Sequence, residues 1–347
     1  MTSLADWPCV ALPLAELAPR TTMRVGGQAE LLLEPTSPEE FQQAYKTCLE
    51  RGIVPYILGG GANLLVADGV LPGVVIATER LRRVFRPGAG GESEEESLAD
   101  MPGEFDMALP SGSMVQDDPA RDPRLVVWAG CTLPALLRAA RDLGYSGLEG
   151  LVGVPGSLGG GVAMNAGGRW GDMWDVVESV RVLDADGEFK DVARADCTPT
   201  YRNGGLGEEW VVGAVLKFEP KPRLLIQEAM SDYLRTKNKV QPVTEWSAGC
   251  IYKNPPAEDA DGRSAGELIE QSGAKELSCG DAAVSERHGN FIVNRGKARA
   301  ADVFELMQTV RTHVLDATGV ELEYEVKRWM GDMGDMGNMS AGASRPT

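Results

Sequence analysis

A chain of 347 residues with a hydrophobic share of 43% has the length and apolar content for two or three packed domains. Its formal charge of -17 argues against nucleic acid or an anionic membrane surface as the main partner, since both reward clustered Lys and Arg. No apolar run approaches the roughly 20 residues that span a bilayer. No basic stretch leads into a long apolar one at the start, and the six cysteines show neither C-x-x-C nor a short metal-ligand spacing. The expectation is a soluble, cytoplasmic protein with reduced cysteines and no metal site.

In chain order, residues 29–33 read as a strand. Ser37 then stands as an N-cap, with Pro38 at the first helical position and Glu40 three after the cap, a capping-box pattern that predicts a helix closed by Gly52. Apolar runs at 54–58 and 74–77 predict two more strands, a β-α-β unit with one strand added. The cluster Gly59-Gly60-Gly61-Ala62-Asn63 sits at the exit of the second strand. Residues 1–77 form the first expected subdomain.

Residues 87–123 carry ten acids against one base, Arg121, and so -9 of the net charge. Low hydrophobicity with repeated Gly, Pro and Ser predicts disorder, as in an enlarged hairpin loop, and such acidic segments also bind partners. Residues 125–129 resume as a strand, and Thr132 begins a helix ending near Gly144.

The stretch 147–167, GLEGLVGVPGSLGGGVAMNAG, holds eight glycines in 21 residues. Glycine costs conformational entropy, so this density calls for left-handed backbone or close approach of something bulky. Gly159-Gly160-Gly161 would leave several N–H groups facing an anion. A buried tight turn is the alternative, but the second cluster at Gly59 favours a large cofactor held at two points.

Further on, strands at 177–183 and 188–192 flank the hairpin signal Asp184-Ala185-Asp186-Gly187. Another strand is expected at 210–218. Glu219-Pro220-Lys221-Pro222 reads as a stiff linker, which places the second subdomain at 78–220 and a third, small α+β domain at 221–330. That domain should hold a helix at 224–237 and a second capping box at Ser264 and Glu267. Val303, Leu306, Met307, Val310, Val314 and Leu315 should face the core of a last helix stopped by Gly319. Residues 331–347 read as a low-complexity disordered tail, with a methionine-rich metal site as the alternative.

Neither a P-loop nor a G-x-G-x-x-G after a strand is present. The chain instead resembles the UDP-N-acetylenolpyruvoylglucosamine reductase family. The resemblance rests on Leu58-Gly59-Gly60-Gly61-Ala62-Asn63-Leu64-Leu65 and on Gly153-Val154-Pro155-Gly156 through Met164-Asn165-Ala166-Gly167. It continues at residues 22–27, Tyr201-Arg202, 247–255, 283–288, 290–294 and 322–326, in the family's order across residues 21–330. The short passage from Tyr201-Arg202 to the linker is similar to the family's shorter, second type.

This resemblance implies an α+β protein with the FAD-binding fold of the vanillyl-alcohol-oxidase and p-cresol-methylhydroxylase type, in two subdomains, plus the substrate domain. It implies an oxidoreductase of peptidoglycan and cell-wall synthesis. NADPH would reduce FAD, and the flavin would pass hydride to the enolpyruvyl double bond of UDP-N-acetylglucosamine-enolpyruvate, giving UDP-N-acetylmuramate. The implied FAD contacts are Arg24, Gly59, Gly60, Gly61, Ala62, Asn63, Leu64, Gly153, Pro155, Gly156, Ser157, Gly159, Gly160, Asn165, Ala166 and Gly167. The implied substrate contacts are Tyr201, Lys253, Asn254 and His288, with a satisfied loop histidine as the alternative for His288.

Hydride addition leaves enolate-like charge near the substrate carboxylate and calls for a proton at the neighbouring carbon. By resemblance, Arg202 and Glu325 stabilise that charge and Cys250 stands at the proton donor's position. The family's commonest residue there is serine. A thiol, with a reference pKa of about 8.5, is chemically suited to the role, while a small buried cysteine is the alternative. Gly204 and Tyr324 also depart from the family pattern, which has serine and proline there. Two other functions remain open: another FAD oxidoreductase of this fold, and a non-catalytic nucleotide-sugar or flavin-binding regulator.

Overall fold

The computed structural model describes residues 4–87 and 122–330. The expectations for the acidic segment, apart from its ends, and for the tail 331–347 lie outside the described residues.

Strands β1 (Val10–Glu16) and β2 (Gln28–Glu34) lead into helix α1 (Pro38–Glu50), whose buried Phe41, Ala44, Tyr45 and Cys48 follow helical spacing. Ser37 Oγ accepts from Glu40 N at 3.2 Å as expected. The return arm differs: Glu40 Oε2 accepts from the N–H and hydroxyl of Thr36, at 2.7 and 2.9 Å, rather than from Ser37. Gly52, at φ +68°, follows the helix end. Strands β3 (Tyr56–Leu58), β4 (Leu64–Val66) and β5 (Val70–Ala77) come next, and the first sheet has the order β1-β2-β5-β3.

Strand β6 (Val84–Phe85) pairs antiparallel with β7 (Arg124–Trp128), placing Val84 opposite Val127 and Phe85 opposite Val126. The two strands that flank residues 88–121 are thus adjacent and antiparallel. Helix α2 (Leu133–Leu143) starts at Thr132, whose side chain makes no cap hydrogen bond, and ends on Gly144 at φ +75°. After β8 (Tyr145–Ser146) come α3 (Leu158–Ala163), β9 (Gly167–Gly168), β10 (Gly171–Asp172), β11 (Val177–Leu183), β12 (Phe189–Ala193) and β13 (Trp210–Lys217). The second sheet, β12-β11-β13-β7-β6, is antiparallel throughout. Asp184 Oδ1 accepts from the N–H groups of Asp186 and Glu188 and so closes the expected β11–β12 turn.

Strand β14 (Glu219–Pro220) pairs with β8 and precedes α4 (Arg223–Val240). The remainder comprises β15 (Trp246–Cys250), α5 (Ala257–Ala260), α6 (Ala265–Gln271), β16 (Ser278–Cys279), β17 (Ala282–Val284), β18 (Phe291–Asn294), α7 (Ala300–Thr318) and β19 (Lys327–Trp329). Strands β15-β18-β17-β16 form an antiparallel sheet, while β19 pairs in parallel with β4. The Ser264–Glu267 capping box is complete in both directions. Of the apolar stripe expected on α7, Leu315 is exposed, because it lies one position off the spacing that buries Val310 and Val314.

The chain forms two compact units, one of Met1–Ala11, Leu33–Gly60 and Ile76–Thr236, the other of Leu12–Leu32, Gly61–Val75 and Lys237–Thr347. Two expected boundaries move. Residues 1–77 are divided between the units instead of forming one subdomain. The division expected after residue 220 falls after Thr236, because Ile226 and Met230 of α4 are buried in the first unit's core with Leu136, Leu216 and Phe218. Tyr252, Ile292, Val303, Met307, Leu322 and Val326 belong to the core of the second.

Candidate active site

In the first unit the two glycine-rich loops touch. A Cβ on Gly60 would lie 2.6 Å from Gly156 Cα and 2.7 Å from Ser157 N, so the backbones pass at a distance only glycine permits. A Cβ on Gly59 would lie 3.2 Å from Ser157 Oγ. That hydroxyl is buried, makes no cap bond to α3, and has no hydrogen-bond partner among the described residues. Beside it, Gly160 presents bare backbone to open space. A partnerless buried hydroxyl beside side-chain-free walls fits the polar diphosphate of a dinucleotide cofactor.

The expectation of free amides along 159–161 is corrected at two of the three positions, and of the three only the Gly160 N–H keeps no acceptor among the described residues. Gly161 N donates to Ser157 O as the first bond of α3, and Gly159 N donates to Ala129 O, beyond the end of β7, both at 2.9 Å. Gly153, at φ +77°, and Pro155 are exposed ahead of this turn.

Asn165, at φ +42°, turns its carboxamide into the fold. Its Oδ1 accepts from Trp174 N and its Nδ2 donates to Thr200 O, both at 3.3 Å. Ala166 is held in turn by Gly161 O and Met173 N. The missing Cβ of Gly167 is replaced by Asp172 Oδ1, which lies 2.0 Å from where it would stand. Arg202, at φ +58°, donates from Nη1 to Gly167 O at 3.3 Å and lies 4.9 Å from the Tyr201 ring. Burial and Asp175 push the Asp172 carboxyl above its usual range, and the Arg202 charge opposes them. Gly204 has no room for a serine side chain, since a Cβ would meet Val162 O at 2.3 Å.

The second unit gathers the other candidates. Gly61, at φ +59°, lies against Arg20 O, and its own carbonyl accepts from Thr22 N. Asn63 Nδ2 donates to Glu325 O at 3.2 Å, Asn63 O accepts from Lys327 N at 3.1 Å, and Leu64 pairs with Lys327. Asn63 and Leu64 thus tie down the segment bearing Glu325, which is itself buried. Arg24 is exposed, with Nη1 on Pro19 O at 2.6 Å.

Cys250 is aimed by a bulge. Pairing with β18 jumps from Ser247 opposite Val293 to Cys250 opposite Phe291, with Gly249 at φ +77° in between. The next residue connects Cys250 to Glu325: Ile251 O accepts from Glu325 N at 2.7 Å and from Val326 N at 3.3 Å. Tyr324 stacks on Tyr252 with centroids 5.6 Å apart, the packing that accompanies tyrosine in place of proline.

Lys253 and Asn254 line an open groove of about 660 Å³ with Pro255, Asp259 and Glu321. Lys253 Nζ pairs with Glu323 at 3.1 Å, and Asn254 Oδ1 accepts from Ala265 N at 3.1 Å. His288 Nδ1 accepts from Asn290 N at 3.1 Å, and burial holds its imidazole below the ordinary histidine range. Asp172, which motif reasoning did not single out, and Asn290, which opens the 290–294 motif but was given no role, complete these arrangements; a strand glycine at Gly249 was the available sequence signal for the bulge.

The family model for the C-terminal domain of UDP-N-acetylenolpyruvoylglucosamine reductase matches residues 241–329. The reductase of Moorella thermoacetica is 37% identical over 315 residues, covering 90% of this chain and 91% of that one. The chain belongs to the UDP-N-acetylenolpyruvoylglucosamine reductase family. A separate family model, of an FAD binding domain, matches residues 106–193, which include the cradle from Gly153 to Gly167. The reductase of Heliobacterium modesticaldum is 37% identical over 90% of this chain. The crystal structure of the Thermus caldophilus reductase superposes with a TM-score of 0.68 at 33% identity, covering 92% of this chain and 98% of that one. The protein is thus a reductase-family flavoprotein with the expected α+β fold and FAD-binding domain. Among the described residues, no helix is long and apolar enough to cross a membrane.

Proposed function

We propose that the protein reduces the enolpyruvyl group of UDP-N-acetylglucosamine-enolpyruvate to give UDP-N-acetylmuramate for peptidoglycan, with FAD as cofactor and NADPH as reductant. The observation that carries this reading is the end-to-end relationship to reductases, including the C-terminal domain that holds Cys250, Lys253, Asn254, His288 and Glu325. A flavin oxidase sharing only the cofactor domain would lack that match. Six cysteines without a disulfide accord with a cytoplasmic site of action.

Gly59, Gly60, Gly156, Ser157 and Gly160 would hold the cofactor diphosphate, with Gly61, Ala62, Gly153, Pro155 and Ala166 on the neighbouring loops. Bound FAD supplies hydride chemistry that no side chain offers. The protein's own part is to manage charge and one proton. Arg202, fixed at Gly167, offers a guanidinium to the carboxylate on which enolate charge collects. Glu325 acts on the same developing charge. Cys250 Sγ delivers the proton to the carbon next to the one that receives hydride, and water later restores the thiol. Tyr201, Lys253, Asn254 and His288 contact the nucleotide-sugar.

The test is a pair of half-reactions. The purified protein should be yellow, NADPH should bleach it, and UDP-N-acetylglucosamine-enolpyruvate should restore the colour without oxygen. A bleached protein that this substrate does not reoxidise would refute the assignment.

A further inference from the structure

We infer that Asn290 is a positioning residue that sets Cys250 relative to Glu325 for proton delivery, an inference resting on the function proposed above. The bulge at Gly249 is where it begins. A bulge breaks the regular ladder, and the backbone groups beyond it need other partners, since buried unpaired N–H and C=O groups are costly. Asn290 supplies them. Its carbonyl accepts from Ile251 N at 3.0 Å, its Oδ1 accepts from Tyr252 N at 2.9 Å, and its Nδ2 donates to Tyr252 O at 2.7 Å. The residue is 2% exposed, so water does not substitute.

These bonds act on the two residues that follow Cys250. The other edge of the same segment is held by Ile251 O, which takes Glu325 N at 2.7 Å. Cys250 and Glu325 are therefore referenced to one short piece of backbone, clamped between Asn290 and the segment bearing Glu325. The clamp is itself anchored, because Asn290 N donates to His288 Nδ1 and Phe291 pairs with Cys250. The chemistry required at position 290 is specific: one planar group must accept and donate at once, which a carboxamide does and a carboxylate does not.

The experiment uses the full-length, FAD-loaded protein and measures both half-reactions per bound flavin for Asn290→Ala and Asn290→Asp, across pH and in heavy water. Bleaching by NADPH should stay within about twofold of the parent. Reoxidation by substrate should slow by about ten- to a hundredfold, with kcat falling more than KM rises, because a small misplacement of the donor is expensive. The solvent isotope effect should rise as proton delivery becomes limiting. The carboxyl of Asn290→Asp, once protonated, again offers a donor and an acceptor, so its deficit relative to the parent should shrink as pH falls. This arm remains informative if Asn290→Ala does not fold. Reoxidation per flavin equal to the parent's in both variants, or equal slowing of both half-reactions, would overturn the inference while leaving the proposed function intact. A parent protein that substrate does not reoxidise would overturn both.

Discussion

The guanidinium of Arg202 is bonded to the carbonyl of Gly167, Nη1 to O at 3.3 Å, so the last residue of the glycine-rich stretch seats the side chain proposed to stabilise charge. Gly167 cannot carry a side chain, because Asp172 Oδ1 lies 2.0 Å and Asp172 Cα 2.5 Å from where its Cβ would stand. Gly167→Ala should therefore displace the β9–β10 turn and lower stability by about 1–3 kcal/mol in denaturant titration. Reoxidation by substrate should suffer more than bleaching by NADPH. Equal effects on both would mean that the turn serves the cofactor rather than Arg202.

Gly60→Ala should cost flavin. Its Cβ would press on Gly156 and Ser157 backbone rather than on a flexible side chain, so the two loops must part. The expected result is a protein purified with less FAD per chain, read from its visible absorbance. A full flavin complement would show that the loops separate without harm to the cradle.

Ser157→Ala should separate folding from binding. The hydroxyl has no partner in the cradle, so its removal relieves a desolvated group and should leave the apoprotein as stable as before or more so. FAD should bind about tenfold more weakly, the worth of one hydrogen bond of roughly 1–1.5 kcal/mol. Titration of apoprotein by flavin fluorescence checks this, and unchanged affinity would remove Ser157 from the cofactor site.

Cys250→Ser should keep substrate reoxidation within about tenfold of the parent, whereas Cys250→Ala should lose about 10²–10⁴ in that step, the usual contribution of a positioned acid. Neither should alter bleaching by NADPH. A Cys250→Ala variant that reoxidises normally would make this cysteine structural, in the manner of the buried Cys48 and Cys131, whose thiols burial pushes up to about 12.

His288 gives a pH signature. Its folded pKa lies below the unfolded value near 6.5, because burial opposes charging and Lys275 adds to that, with Glu270 pulling the other way. Through and below pH ~6.5 the unfolded chain takes a proton that the folded chain refuses, so stability falls as pH falls. Protonation would also place a donor on the Nδ1 that now accepts from Asn290. The stability difference between the parent and His288→Gln should therefore shift against the parent from pH 7.5 to 5 in urea titrations. A pH-independent difference would contradict it.

The sequence was most legible where a residue's local chemistry decides its own structure. Ser264 with Glu267, Gly319 at the end of α7 and the Asp184–Gly187 turn behave as their local patterns dictate. The glycine clusters were legible as a cradle, since close backbone approach has few other solutions. Less legible was anything settled by distant packing. Glu219-Pro220-Lys221-Pro222 has a linker's composition, yet β14 pairs with β8, and apolar residues of α4 carry the first unit past it. Of the amides of 159–161, that of Gly161 is taken by a short glycine-built helix and that of Gly159 by Ala129 O, thirty residues earlier, which no local pattern reveals. Asn165 and Asn63 belonged to cofactor motifs, but their carboxamides hold Thr200 and Glu325, partners far along the chain that no local pattern reveals. Asn290 was legible as the start of a motif, but its bonds to residues 251 and 252 were not, for the same reason.

The β6–β7 hairpin has a practical consequence. Its strands are registered by their own pairing, Val84 opposite Val127 and Phe85 opposite Val126, so that pairing does not fix the length of chain joining them. Closing a longer connection costs only about 0.6 kcal/mol per doubling. Exchanging residues 88–121 for a two-residue turn, or splicing a fluorescent reporter into them, should therefore yield a folded flavoprotein. This junction is a natural port for labelling the enzyme in a living cell.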